Sequence, residues 1–141
     1  MRVSIVAVAA CVAFASLAAS PVSAQAADVW QVTQGVCGDW KGTWVMEHVG
    51  PGHWMGKSVI RVESNQCSHS PIGTQLVANV DFTTRVDRTW TATGTDAGTG
   101  RQCRYSGAVT SGSSAAGAYV CGGSSQQANI TINSAYKFYN E

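Results

Sequence analysis

One stretch of the chain reads nearly the same from both of its ends. In CRYSGAVTSGSSAAGAYVC, residues 103–121, the matched positions have a constant sum, as an antiparallel register requires. The matched residues also recur at every second position, which places them on one face of the pair of strands. The pattern predicts a β-hairpin whose Gly-containing turn lies at residues 111–113. The matched pairs are Cys103 with Cys121, Tyr105 with Tyr119, and Gly107 with Gly117.

This hairpin also predicts how the cysteines pair. Cross-strand residues in such a register have Cα atoms roughly 4.5–5.5 Å apart, within the range of a disulfide bond. The register therefore predicts a Cys103–Cys121 bridge. Of the five cysteines, Cys11 falls in an N-terminal leader, so a second bridge, Cys37–Cys67, follows by elimination.

Alternation of apolar and polar residues continues along most of the chain. Turn-forming segments separate the alternating runs, and no run after residue 24 has a sustained apolar period of 3.6 residues. The pattern therefore predicts an all-β domain of seven or eight short antiparallel strands, closed as a barrel, with no long helix. The alternating runs are WKGTWVMEH, KSVIRVE, TQLVANVDF, TWTATGT, the two arms of the hairpin, ANITIN and, as a further candidate, AYKFY at 135–139.

The first 24 residues have the features of a secretory signal. Arg2 precedes a long apolar run, and the run ends at Val22-Ser23-Ala24, a small-residue cleavage boundary. We expect residues 1–24 to be a signal peptide, separate from the fold, and residues 25–141 to be one disulfide-stabilised β domain. A retained membrane anchor is the alternative. The expected location is extracytoplasmic, either secreted or periplasmic, where disulfide bonds persist.

The charge balance narrows the classes of partner. The chain carries nine Lys and Arg residues against eight Asp and Glu residues, and Arg2 lies in the leader, so residues 25–141 are neutral overall. Nucleic acids and anionic membranes attract strongly basic surfaces, so neither is an expected partner. We expect a monomer that binds a small apolar ligand or an extracellular protein.

The segment GDWKGTW, residues 38–44, resembles the opening strand of the calycins, the lipocalin and avidin-like barrels. In those barrels a Gly-x-Trp tryptophan closes the narrow end and packs under a basic side chain from the last strand. The resemblance implies that Trp40 or Trp44 closes a barrel and that Lys137 supplies the cation. The second lipocalin motif is incomplete here, because Ala97 follows Thr95-Asp96.

A second resemblance supports a different all-β architecture. Residues 117–121, GAYVC, are similar to the Gly-x-Tyr-x-Cys strand of immunoglobulin domains, and Cys67 has the upstream spacing of the partner cysteine. The tryptophan expected about a dozen residues after that cysteine is absent. An immunoglobulin-like sandwich is therefore the alternative to the barrel.

Catalytic and metal-binding patterns are weak in this chain. The histidines His48, His53 and His69 do not form a recognisable ligand motif, and Cys67 is expected to be oxidised, so we predict no metal and no cofactor. No serine lies in a nucleophile elbow. Asp39, between Gly38 and Trp40, is the first candidate if the protein is a small hydrolase. We expect a protein that is not an enzyme.

Aromatic residues are the best candidates for binding. Trp44, Trp90 and Tyr105 are the candidates to contact a ligand in the barrel. Trp44 and Trp90 lie on the apolar faces of their strands, so filling the core is the competing role for both. Trp54 lies in the Gly-rich segment GPGHWMG and is predicted to belong to an exposed loop, residues 50–56. That loop defines the alternative function, an inhibitor or interaction module acting on an extracellular enzyme. A lid over the barrel is the competing role for Trp54.

Overall fold

A computed structural model describes residues 26–134 and residue 138. These residues form eight antiparallel strands, each paired with its neighbours in sequence, and β8 pairs with β1 to close the barrel. The strands are β1 Asp28–Gly35, β2 Trp40–Gly50, β3 His53–Val62, β4 Gln75–Thr84, β5 Thr89–Asp96, β6 Gln102–Ser111, β7 Ser114–Cys121 and β8 Ala128–Asn133. The predicted all-β barrel is confirmed, and the immunoglobulin-like sandwich is wrong. Within the described part of the chain, no helix is long and apolar enough to cross a membrane.

The mirror-image hairpin forms as predicted. Cys103 pairs with Cys121, Tyr105 with Tyr119, and Gly107 with Gly117 across β6 and β7. The turn is shorter than predicted, because Ser111 pairs with Ser114 after a register shift that follows Val109. Both predicted disulfides, Cys103–Cys121 and Cys37–Cys67, are present.

Two assignments near the N-terminus were wrong. The segment beginning at Trp40 is the second strand, because Asp28–Gly35 forms an additional strand before it. The predicted loop at residues 50–56 does not exist, because only residues 51–52 connect β2 and β3. Trp54 lies inside β3 and is only 8 % exposed. The signal segment, Lys137 and most of the candidate strand 135–139 lie outside the described residues.

Four glycines let the sheet fold sharply enough to close. A Cβ atom on Gly42 would lie 2.1 Å from the Val59 carbonyl oxygen, and a Cβ on Gly56 would lie 2.0 Å from that of Val45. Gly107 and Gly117 face each other across β6 and β7 with equally close approaches to the backbone. Only glycine fits where two strands come this close, so the β2–β3 and β6–β7 pairs form corners of the barrel.

The two ends of the barrel differ in their connections. Short turns, residues 51–52, 85–88 and 112–113, join strands at one end, which we call the turn end. Longer connections join strands at the other end, which we call the mouth; they are residues 36–39, 63–74, 97–101 and 122–127. Because β1 is followed by a mouth connection, each odd-numbered strand runs toward the mouth.

The half of the barrel at the turn end is filled by aromatic side chains. Phe82 is fully buried, and its ring contacts the rings of four tryptophans and Phe138, with centroid separations of 4.8–6.5 Å. Most of these contacts are edge-to-face, a geometry that aromatic pairs prefer. Phe138 closes the end, where its backbone amide donates a hydrogen bond to the Gly112 carbonyl. The four tryptophans are Trp30, Trp44, Trp54 and Trp90.

Candidate functional site

The half of the barrel at the mouth contains a cavity of about 330 Å³, which we call the mouth cavity. This volume is at the lower end of the range of roughly 300–1,000 Å³ that is typical of small-molecule sites. Inward-facing residues of seven strands, β1 to β7, together with the β5–β6 connection, line it. They are Gln34, Trp40, Ser58, Ile60, Leu76, Ala78, Gly94, Asp96, Thr99, Arg101, Cys103, Tyr105, Tyr119 and Cys121.

A second space of about 480 Å³, the mouth groove, adjoins this cavity. The two share Trp40, Arg101, Tyr119 and Cys121, so the groove forms the outer part of the same opening. His69 and Asp39 lie along the groove, on connections that the cavity does not reach. A ligand that enters the barrel from the mouth therefore passes Trp40 and Arg101.

The cavity walls are mostly apolar, with polar side chains from Gln34, Ser58, Tyr105 and Tyr119, and the charged residues lie near the rim. Among its lining residues, the charged side chains are Asp96 and Arg101, at the two ends of the β5–β6 connection. The Asp96 carboxylate accepts hydrogen bonds from the Gly98 and Thr99 amides, at 2.8 and 2.7 Å, and these bonds lower its pKa. Arg101 Nε donates to the Gly122 carbonyl at 2.9 Å. Both charges are therefore anchored in connections, outside the deeper part of the cavity.

Two tyrosines form the polar feature of the interior. Tyr105 and Tyr119 are a directly opposed cross-strand pair, and their rings stack with centroids 5.0 Å apart. Burial raises the pKa of Tyr105 to about 12, the charge of Tyr119 adds to this rise, and a hydrogen bond from Gln34 partly offsets it. Burial also raises the pKa of Tyr119. Both side chains therefore keep their hydroxyl protons at neutral pH.

Gln34 lines the cavity together with the two tyrosines. Its side-chain amide donates toward both tyrosines, which lowers the pKa of each phenol. Gln34 is only 5 % exposed, and its Oε1 has no hydrogen-bond partner among the described residues. A buried acceptor without a donor costs about 1–3 kcal/mol of folding free energy. An apolar side chain of similar size at position 34 would avoid this cost. Position 34 nevertheless carries a polar side chain.

The predicted ligand-binding residues divide between the two halves of the barrel. Tyr105 lines the mouth cavity. Trp44 lies beneath it, with ring centroids 5.5 Å apart, and is fully buried. Trp54 and Trp90 lie in the aromatic core, where the Trp90 indole N–H donates to the Ala108 carbonyl at 3.2 Å. These two tryptophans support the site from below and do not line it.

Sequence reasoning missed most of the cavity wall. Gln34 lies on β1, a strand that the sequence analysis did not assign, although Trp30, Val32 and Gln34 alternate with Gln31 and Thr33. Trp40 was considered only as a closing residue, and Tyr119 only as part of the hairpin or of an immunoglobulin-like strand. The period-two pattern of DVWQVTQG is the signal that identifies the missing strand.

Asp39, the carboxylate selected as a hydrolase candidate, is held by the β3–β4 connection. It is 2 % exposed. Its Oδ2 accepts from the Cys67 and Ser68 amides, both at 2.7 Å, and its Oδ1 accepts from the Gln66 amide at 3.1 Å and from the Ser64 hydroxyl. These hydrogen bonds lower its pKa to about 2, the Ser64 bond most of all. The carboxylate thus orders the connection that carries Cys67.

Asp39 should make stability depend on pH. Because its folded pKa lies below the ordinary value of 3.8, its stabilising effect is complete above about pH 4 and is lost as pH falls toward 2. We expect Asp39→Asn to lower the melting temperature at pH 7, since an amide cannot accept all four bonds without placing its own donors against backbone N–H groups. The difference from the parent protein should shrink between pH 4 and pH 2 in melting curves followed by circular dichroism. A constant difference over this range would contradict the assignment.

The histidines lie at opposite ends of the barrel. His48 packs against Trp54 near the turn end, with ring centroids 5.0 Å apart, and His53 Nε2 lies 2.9 Å from Asp81 Oδ1. His69 lies at the mouth groove. Within residues 26–134 and 138, no three His, Cys, Asp or Glu side chains are grouped closely enough to hold a metal ion.

The chain matches no protein-family model, no curated protein and no solved structure.

Proposed function

We propose that this protein is an exported, non-catalytic β-barrel that binds a small, largely apolar ligand in the mouth cavity. The observation that carries the proposal is the contrast between the two halves of the barrel interior. Aromatic rings fill the half at the turn end, whereas the other half keeps an opening of ligand size with aromatic and aliphatic walls. A rigid, preformed cavity with few polar groups is the usual form of a small-molecule site.

The two disulfide bonds support the extracytoplasmic part of the proposal. Both lie at the mouth: Cys37–Cys67 links two connections, and Cys103–Cys121 forms part of the cavity wall. Disulfides persist in oxidising compartments, and residues 1–24 have the sequence features of a leader for export. Cross-links at this end also limit how far the mouth can deform, which lowers the entropic cost of ordering a binding site.

Filling the cavity tests the proposal. Ala78 faces the cavity from β4, whereas its neighbour Val77 is on the outer face and is 37 % exposed. Ala78→Phe should abolish binding of neutral bicyclic probes such as indane, naphthalene and coumarin, because the added ring occupies the ligand volume. Val77→Phe adds a comparable ring outside the barrel and should leave binding unchanged. Binding is measured by titration calorimetry and by tryptophan fluorescence, since Trp40 lines the cavity.

The same titrations can contradict the proposed ligand site. If no probe binds the parent protein across such a panel, the mouth cavity is not a ligand site. If Ala78→Phe binds the probes as well as Val77→Phe does, the probes occupy another surface. Circular dichroism spectra and melting temperatures of both variants show whether the barrel is intact.

A further inference from the structure

Resting on the proposed function, the geometry points to a more specific ligand class: we infer that Tyr105 and Tyr119, which line the cavity beside Gln34, bind a neutral carbonyl oxygen on a small ring compound. The two tyrosines are a cross-strand pair with stacked rings, and both line the cavity. A phenol that accepts a hydrogen bond still has its own O–H to donate. Two O–H donors beside the same cavity suit one acceptor oxygen, which has two lone pairs.

The position of the Tyr105 hydroxyl depends on Gly94. A Cβ on Gly94 would lie 3.2 Å from Tyr105 Cε2 and 3.5 Å from its hydroxyl oxygen. The missing side chain therefore leaves room for the edge of the phenol ring over β5. Trp44 supports the ring from the turn-end side, with its plane nearly perpendicular to that of Tyr105. Tyr119 on β7 stacks against the Tyr105 ring, so packing restrains Tyr105 from both neighbouring strands.

The absence of a cation in the deeper cavity argues against an anionic group. Arg101 is the one cationic residue among those that line the cavity, and it lies at the rim with its Nε committed to the Gly122 carbonyl. Taking a carboxylate to the tyrosines would remove its hydration without supplying a counter-charge, which is strongly unfavourable. A ketone, lactone or lactam oxygen loses far less hydration and gains the same two donors. The buried end of the ligand is therefore neutral.

Matched probes test this inference separately from the proposed function. Coumarin and 1-indanone carry a ring carbonyl, and 2H-chromene and indane are the corresponding compounds without it. We expect the parent protein to bind each carbonyl compound about tenfold more tightly than its partner, measured by calorimetry or by ligand-observed NMR. Tyr105→Phe and Tyr119→Phe should each reduce this ratio about three- to tenfold, the effect of one hydrogen bond, while affinity for indane and chromene stays constant.

Gln34 is a positioning residue in this scheme, and its variant has a distinct signature. Gln34→Leu removes the unpartnered buried Oε1, so the melting temperature should stay constant or rise. The preference for carbonyl compounds should nevertheless fall, because the polar side chain that lines the cavity beside the two tyrosines is lost. A Gln34→Leu protein that keeps the full preference would overturn the positioning role.

Three outcomes overturn the inference. If carbonyl and carbonyl-free compounds bind the parent protein equally well, the cavity binds ligands without the proposed recognition, and the proposed function still stands. If neither member of any pair binds, both the inference and the proposed function fail. A preference that survives both tyrosine variants also contradicts the inference, because the donor must then lie elsewhere.

Discussion

Replacing Phe82 by alanine is expected to lower the free energy of unfolding by about 3–5 kcal/mol, a large part of what a domain of this size possesses. Phe82 is fully buried and lies within 4.8–6.5 Å, between ring centroids, of five other aromatic side chains. Its removal takes away apolar burial and leaves a cavity among large rigid rings. Rings of this size cannot move to fill the space without leaving their preferred rotamers, so little of the loss is recovered.

Urea denaturation followed by far-ultraviolet circular dichroism measures this effect. Val86→Ala is the control, because Val86 is in the β4–β5 turn and is fully exposed, so its loss should change the free energy of unfolding by less than about 0.5 kcal/mol. Phe82→Leu should give an intermediate loss, since it keeps part of the apolar volume. A loss below about 1 kcal/mol for Phe82→Ala would show that the aromatic core is able to repack.

The features that could be predicted from sequence are those that depend on local periodicity. The register of β6 and β7, and with it the Cys103–Cys121 bridge, is encoded within residues 103–121 by matched residues on one face. The Cys37–Cys67 bridge could be predicted by elimination once the first pair was assigned. Seven of the eight strands followed from the alternating runs, whereas β1 was not assigned. In each case the physical cause is the two-residue period of an extended strand.

The Trp54 prediction was wrong because glycine has more than one structural use. The segment GPGHWMG has the composition of a loop, but its glycines have different structural roles. Gly52 has a φ of 64° and forms the turn, whereas Gly56 lies within β3, where its lack of Cβ permits the close approach of β2. The segment is therefore a tight turn followed by a bent strand. Composition alone does not distinguish a glycine in a loop from a glycine at a barrel corner.

The mouth cavity could not be predicted because its position depends on the stagger between strands. Alternation shows which residues face inward but does not give their height along the barrel axis. Gln34 and Tyr119 meet only because β8 lies between β1 and β7 and closes the barrel. Tyr105 and Trp90 have the same sequence signature, yet one lines the cavity and the other lies in the aromatic core. Predicting the height of a side chain along the barrel axis requires the register of every strand pair.

The second large effect is expected from the Cys37–Cys67 bridge. It closes a segment with a sequence separation of 30, against 18 for Cys103–Cys121. By the loop-entropy relation, the two bridges stabilise the fold by about 3.6 and about 3.2 kcal/mol respectively. The Cys37→Ala, Cys67→Ala double variant should lose about the first amount in urea denaturation. It should also show faster amide hydrogen exchange at residues 64–68, because the bridge fixes the connection that contains them.

Asp39 acts on the same connection, so the two effects should not be additive. Its carboxylate accepts from the amides of Gln66, Cys67 and Ser68, and these bonds require the connection to stay in place beside Asp39. Once the bridge is removed, Asp39→Asn should cost less than it does in the disulfide-bonded protein, as expected for residues that share contacts. None of the donors to Asp39 lies in β6 or β7, so combining Asp39→Asn with loss of Cys103–Cys121 should give additive changes. Additive changes for both pairs of substitutions would show that the Cys37–Cys67 bridge and the Asp39 carboxylate stabilise the mouth independently. Coupling between Asp39→Asn and loss of Cys37–Cys67 alone identifies residues 64–68 as one cooperative unit at the entrance to the cavity.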